Sequence, residues 1–252
     1  MEPILKVTDL SKAFSRAGRN EFFAVDHVSF EVLPGEILGI VGESGSGKST
    51  IAKLITRQID ATTGRIELDG QDITALKGRE LIPVYAKLQM VFQSPTGSFD
   101  PRRTLGDGIC ESLRNKGVPK AEREAKARGL LESCGLSGEF LERYPHQVSG
   151  GQCQRAAIAR ALMCDPRILV FDEATSALDV TVQKQIIELL QRLQKEKELA
   201  YLFICHNLAL VQQFCDKVIV LYDGRIVENG LPDEVILDPQ SEYAKRLVDA
   251  IF

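Results

Sequence analysis

Gly42-Glu43-Ser44-Gly45-Ser46-Gly47-Lys48-Ser49-Thr50 fits the spacing G-x-x-x-x-G-K-[ST], a pattern able to cradle a chain of phosphates. Its glycines let the backbone fold tightly, so that successive N–H groups turn inward on an anion. Lys48 would reach the β- and γ-phosphates, and the Ser49 hydroxyl would ligate Mg²⁺. The competing reading is a glycine-rich turn ahead of an ordinary helix. A second group able to do chemistry is Asp172-Glu173, which ends the apolar run Ile168-Leu169-Val170-Phe171. Two carboxylates at the end of a buried strand are costly to place unless they meet a metal or a proton. Beside a phosphate loop, Asp172 is expected near Mg²⁺, and Glu173 is expected to orient and deprotonate an attacking water. The alternative is a strand that simply emerges into solvent.

Four further positions gain meaning only in combination. His206 ends a third apolar strand, Tyr201–Cys205, as Gly42 and Asp172 end the other two. Ligands of open parallel sheets bind at the carboxyl ends of strands, so His206 is a candidate γ-phosphate sensor; a lone histidine is otherwise structural. Gln93 stands where Leu88–Phe92 gives way to a loop, a place where most glutamines are merely solvated. Ser149-Gly150-Gly151-Gln152 opens a strongly helical stretch, with Ser149 as a plausible N-cap. It reads either as a capped helix or as a second anion site at a helix start. The second makes sense if it serves the nucleotide of another copy of the protein. Phe14 lies among polar neighbours and could stack on a base or act as a hydrophobic anchor.

These residues need strands to end together and helices to begin beside them. Strand patterns cover Ile4–Leu10, Phe22–Leu33 and Glu36–Val41, with Pro34-Gly35 turning into the third. A helical pattern follows the loop, with apolar residues at 51, 54 and 55, and then a strand over Arg65–Asp69. From Ser94 to Asp165 the texture is polar and helical: Leu105–Asn115, Lys120–Cys134, Glu139–Tyr144 and Cys153–Met163. This reads as a helical subdomain (94–164) inserted into one α/β core (1–93 and 165–252), the whole chain forming a single domain. After the core resumes, a long helix is expected over Val182–Lys195. A hairpin then joins Val218–Leu221 to Arg225–Glu228 through Asp223-Gly224. Short helices follow at Asp233–Leu237 and Ser241–Ile251.

Composition narrows the function classes. The chain has 252 residues, 44% of them hydrophobic and 26% charged, enough for a large core. Thirty-one basic against 35 acidic residues leave a net charge of −4, which makes no electrostatic case for nucleic acid. The longest apolar run, Leu199–Cys205, falls far short of a membrane span. The N-terminus, Met-Glu-Pro, has no basic, apolar leader. Six scattered cysteines (110, 134, 153, 164, 205 and 215) have no Cys-x-x-Cys pair and read as reduced, mostly buried thiols.

In order, GESGSGKST, VFQSP, VSGGQ, ILVFDEATSALD and His206 resemble the ATP-binding-cassette (ABC) family across essentially the whole chain. The resemblance implies a P-loop NTPase fold of the ABC ATPase kind, with an antiparallel β subdomain and the inserted helical subdomain. It implies ATP and Mg²⁺ as ligands, with Ser49, Gln93 and Asp172 around the metal. It implies that Phe14 stacks on adenine and that Gln93 couples metal and water to the helical subdomain. Ser149–Gln152 would clamp ATP held by a second ABC ATPase subunit, and Asp179 would lie in the loop crossing that head-to-tail dimer. VFQSPTGSFDPRRTLGD, YPHQVSGGQ and DPQSEYAKRLVDAI further resemble the importer branch for peptides, nickel and metal chelates, in its short form. That branch implies integral permease partners, an indirect extracellular solute-binding protein, and a peripheral place on the cytoplasmic face of the membrane. The chain departs from the pattern at Val148, Cys205, Asn207 and Asp100, none of them a group that phosphate chemistry needs. A soluble ABC ATPase of DNA repair or translation, or an exporter cassette, is the alternative.

Overall fold

The computed structural model describes residues 2–15, 21–94 and 96–250. Two antiparallel strands come first, β1 (Leu5–Phe14) and β2 (Phe22–Val32), followed by β3 (Ile37–Val41) and helix α1 (Lys48–Ile55). β4 (Thr63–Leu68) and the two-residue β5 (Gln71–Asp72) complete a four-stranded antiparallel sheet in the order β2-β1-β4-β5. After α2 (Ile82–Lys87) and β6 (Leu88–Val91), the chain up to residue 167 forms only helices and turns among the described residues. These helices are α3 (Leu105–Ile109), α4 (Glu111–Asn115), α5 (Lys120–Ser133) and α6 (Gly150–Leu162). β7 (Ile168–Asp172), α7 (Val180–Lys197), β8 (Ala200–Ile204) and α8 (Leu208–Phe214) follow. β9 (Lys217–Tyr222), β10 (Arg225–Gly230), α9 (Pro232–Leu237) and α10 (Glu242–Asp249) end the described chain.

The second sheet runs β10-β9-β3-β8-β7-β6. Five of its strands are parallel and β10 alone is antiparallel. Side chains alternate across it with period two. Leu38, Ile40, Val170, Leu202 and Ile204 face a core shared with α1 and the antiparallel sheet. Val41, Phe171, Tyr201 and Phe203 face the opposite core, built with α5, α6, α7 and α8. Burial on both faces explains why these strands read as unbroken apolar runs.

Several boundaries move. The expected helix over Leu105–Asn115 is two short helices meeting at Cys110; Gly106 and Gly108 weaken its first half. The segment expected as a helix over Glu139–Tyr144 is a 3₁₀ turn, Gly138–Glu142, stopped by the extended backbone that Pro145 imposes on Tyr144. β1 extends to Phe14. α2 and α8, of six and seven residues, are too short to show clear periodicity in the sequence. Residue 251, in the expected last helix, lies outside the described residues. All six cysteines are unpaired, and five of them are buried.

Candidate functional site

Strand order decides which residues meet. β8 lies between β3 and β7, with Ile204 paired to Ile40 on one side and Asp172 on the other. β6 flanks β7 in parallel. The residues that follow these strands therefore emerge along one edge: Gly42 after β3, His206 after β8, Glu173 after β7 and Gln93 after β6. His206 is exposed there.

The phosphate loop is held by backbone. Gly42 has φ +152°, and a Cβ there would stand 2.2 Å from the Leu221 carbonyl oxygen. Gly47 has φ +107°, and its Cβ would stand 2.2 Å from the Ala24 carbonyl oxygen. The Gly224 N–H donates to the Ser46 carbonyl at 3.0 Å. Gly47 caps α1 without any side-chain acceptor, leaving the first-turn N–H groups free of a cap. The buried Ser46 hydroxyl has no protein partner. An orphaned hydroxyl, uncapped N–H groups and a helix start form a cradle that fits phosphate oxygens.

Lys48 is 4% exposed and donates from Nζ to the carbonyls of Gly42 and Glu43, each at 2.7 Å. Burial pulls its pKa below 10.5, opposed by the Glu173 carboxylate and other negative groups. An ammonium desolvated in this way gains from a nearby anion. Ser49 Oγ donates to Asp172 Oδ1 at 2.9 Å. Burial raises the Asp172 pKa, the Ser49 bond lowers it, and Glu173 raises it again. A hydroxyl and a buried carboxylate are hard oxygen donors of the kind Mg²⁺ takes alongside phosphates and water. Among the described residues no cluster of three or more His, Cys, Asp or Glu makes a protein-only metal cage.

Gln93 Nε2 donates to Glu173 Oε2 at 2.9 Å, which leaves its amide oxygen for a cation. Glu173 itself sits in the left-handed region at φ +48°. Its N–H donates to the Ile204 carbonyl at 2.9 Å, and the Ser176 hydroxyl donates to its carbonyl at 2.9 Å. Strain held by several contacts at a strand end aims one carboxylate into the site.

Ser149 and Gln152 form a reciprocal cap at the start of α6. Ser149 Oγ accepts the Gln152 N–H at 3.2 Å, and Gln152 Oε1 accepts the Ser149 N–H at 2.9 Å. A Cβ on Gly151 would come within 2.6 Å of Val182 Cγ1, so this turn packs directly on the start of α7. There Asp179 is the N-cap, accepting the Val182 N–H at 2.9 Å. These residues therefore form a group of their own, joined by packing and caps. Phe14 ends β1 as the cross-strand partner of Phe22. Phe14 is exposed, as are Phe22 and Phe23, and Lys12 Nζ lies 5.1 Å from the Phe14 ring centre. One contact had no sequence signal: the Tyr243 hydroxyl accepts the Glu43 N–H at 2.9 Å.

Comparisons with known proteins point the same way. The family model described as "ABC transporter" matches residues 25–176. The oligopeptide transport ATP-binding protein OppF of Streptococcus mutans is 43% identical, covering 98% of this chain and 81% of that protein. A putative peptide import ATP-binding protein of Brucella ovis is 43% identical, covering 99% and 78%. The glutathione import ATP-binding protein GsiA of Salmonella paratyphi A is 45% identical over 99% of this chain, which spans 41% of its length. Among solved structures, a dimeric ATP-binding cassette in a post-hydrolysis state with ADP and Pi superposes with TM-score 0.82 at 30% identity. That match covers 90% of this chain and 98% of the other. cbiO1 of Clostridium perfringens, part of the ABC transporter complex cbiONQ, superposes with TM-score 0.83 at 26% identity, covering 94% and 92%. With the sequence motifs, the edge of strand ends and the whole-length likeness in agreement, this chain belongs to the ABC transporter family and is an ATP-binding cassette ATPase.

Proposed function

We propose that this cassette energises import of peptide-class solutes, seated on the cytoplasmic face of a membrane permease and working as a head-to-tail pair with a second cassette. The observation that carries the reading is the Gln93–Glu173 bond beside the Ser49–Asp172 bond. These bonds support Glu173 as the carboxylate that meets water, and Ser49 with Asp172 as oxygen ligands for a cation, along the edge that Lys48 serves. Peptide-class cargo rests on the names of the relatives at 43% identity. No helix among the described residues is long and apolar enough to cross a membrane, in keeping with a peripheral subunit.

In this mechanism Lys48, the loop N–H groups and the Ser46 hydroxyl hold the β- and γ-phosphates of ATP. Phe14 supplies a face for the base. Mg²⁺, held through Ser49, Asp172 and the Gln93 amide oxygen, would neutralise charge on the phosphates. Glu173 takes the proton of the attacking water, Gln93 holds that carboxylate in line, and His206 contacts the γ-phosphate. Ser149–Gln152 closes on the nucleotide of the partner cassette, with Asp179 in the intervening loop.

Residues 94–164 act as a helical subdomain on the 1–93 and 165–252 core. A groove of about 460 Å³ between them is lined by Tyr85, Gln89, Phe92, Glu111 and Arg160. Tyr85 and Phe92 are exposed there, which suits docking of the permease. Glu173→Gln is expected to abolish hydrolysis while keeping ATP binding and trapping a stable pair. Near-normal hydrolysis in that variant rules out Glu173 as the base. Co-purification with integral membrane subunits is expected; recovery with ribosomes or DNA instead would favour a non-transport ATPase.

A further inference from the structure

The first peptide of the phosphate loop is gripped from both sides. Its carbonyl, on Gly42, accepts from Lys48 Nζ at 2.7 Å. Its N–H, on Glu43, donates to the Tyr243 hydroxyl at 2.9 Å across 200 residues of chain. The two groups share one rigid plane, so whatever orients the N–H also aims the carbonyl that holds the lysine. Tyr243 is 6% exposed. Its ring lies against Tyr222 with centroids 4.2 Å apart, and the Arg246 guanidinium lies 5.8 Å from its centre. The helix that carries it is itself tied down. Ser241 caps α10 by accepting the Ala244 N–H at 3.0 Å. The Glu228 carboxylate on β10 accepts the N–H groups of Gln240 and Ser241, each at 2.8 Å. The hydroxyl is thus positioned by the C-terminal segment and not by the loop it serves.

We infer that Tyr243 is a positioning residue for ATP, holding the Gly42–Glu43 peptide so that Lys48 faces the incoming phosphates. The inference rests on the reading of this loop as the ATP site. Without the hydroxyl, the Glu43 N–H loses its partner and the peptide is free to rotate. Gly42, at φ +152°, has no side chain to oppose that rotation. A loop that samples several orientations binds with an affinity reduced by the fraction correctly set.

Tyr243→Phe keeps the ring and its stacking and removes only the acceptor. The whole chain is titrated with a fluorescent ATP analogue, and its Tm is measured without nucleotide. Kd is expected to rise roughly five-fold, the worth of one ordinary hydrogen bond. KM for ATP should rise in step, with kcat near wild type and Tm little changed. Tyr222→Phe, which retains its stacking ring, should bind as wild type. Unchanged affinity in Tyr243→Phe overturns the inference. A weaker Kd matched by an equal loss of nucleotide-free stability also overturns it, because the hydroxyl is then a fold contact only. Lys48→Ala separates the two possible failures. If it binds as wild type, the loop is not the ATP site; if it loses binding while Tyr243→Phe does not, only the role of Tyr243 falls.

Discussion

Lys48 shows how much a single side chain owes to where it is buried. Burial pulls its pKa below 10.5, and only the ammonium form attracts a triphosphate. Affinity for ATP should therefore be flat through neutral pH and decline as pH rises through the lowered value, before an ordinary lysine would deprotonate. Nucleotide titrations up to pH 10.5 check this; affinity that holds to the end of that range contradicts it. Glycine positions divide in the same local way. Gly45 has φ +86° with nothing within 4 Å of a Cβ, so Gly45→Ala should lose about 1 kcal/mol from backbone strain alone. Gly47→Ala drives a methyl into the Ala24 carbonyl oxygen and should lose about 4 kcal/mol or more in thermal unfolding. Gly47 is fixed by the motif spacing and Gly45 fills one of its free positions, so both were legible in the loop. Their unequal tolerance was not, because it depends on a strand 20 residues or more upstream.

At the scale of elements, the start of α6 has two jobs that one substitution series can separate. Ser149 caps the helix, so Ser149→Ala should destabilise the protein by about 1 kcal/mol. Aspartate caps as well as serine does, and Ser149→Asp should restore stability. It also places a negative charge where the partner's phosphates would approach, so ATPase activity should stay lost. Recovery of activity along with stability would reduce the signature to a cap. The Ser149 N-cap was readable from its residue type and the helical run behind it. The split at Cys110 and the 3₁₀ turn before Arg143 were not, since hydrophobic periodicity does not register the weakening by Gly106 and Gly108 or the backbone that Pro145 imposes on Tyr144. Glu139–Tyr144 looked helical because composition alone was favourable, yet Pro145 decided the backbone.

For the whole molecule, the proposed head-to-tail pair predicts a site shared between two chains. Lys48→Ala damages the phosphate loop and Ser149→Asp the clamp. Each variant alone should be inactive. Mixed as two copies of this chain, they should recover partial activity, because one of the two sites in the mixed pair joins the intact loop of the Ser149→Asp chain to the intact clamp of the Lys48→Ala chain. Failure of any mixture to recover activity, with pairs demonstrably formed, would place loop and clamp in one subunit. The loop, the carboxylate pair and the four strand ends could be read directly from the chain. Phosphate chemistry demands particular residue types at short spacing, and strands buried on both faces must be apolar throughout. The order β3-β8-β7-β6, the Gln93–Glu173 bond and the hold of Tyr243 on Glu43 are different in kind. Each joins residues 80 to 200 positions apart or strands out of chain order, and no local pattern encodes which distant segments will pack side by side. That was settled by the folding of two cores on the faces of one sheet, which brought these segments to a common edge.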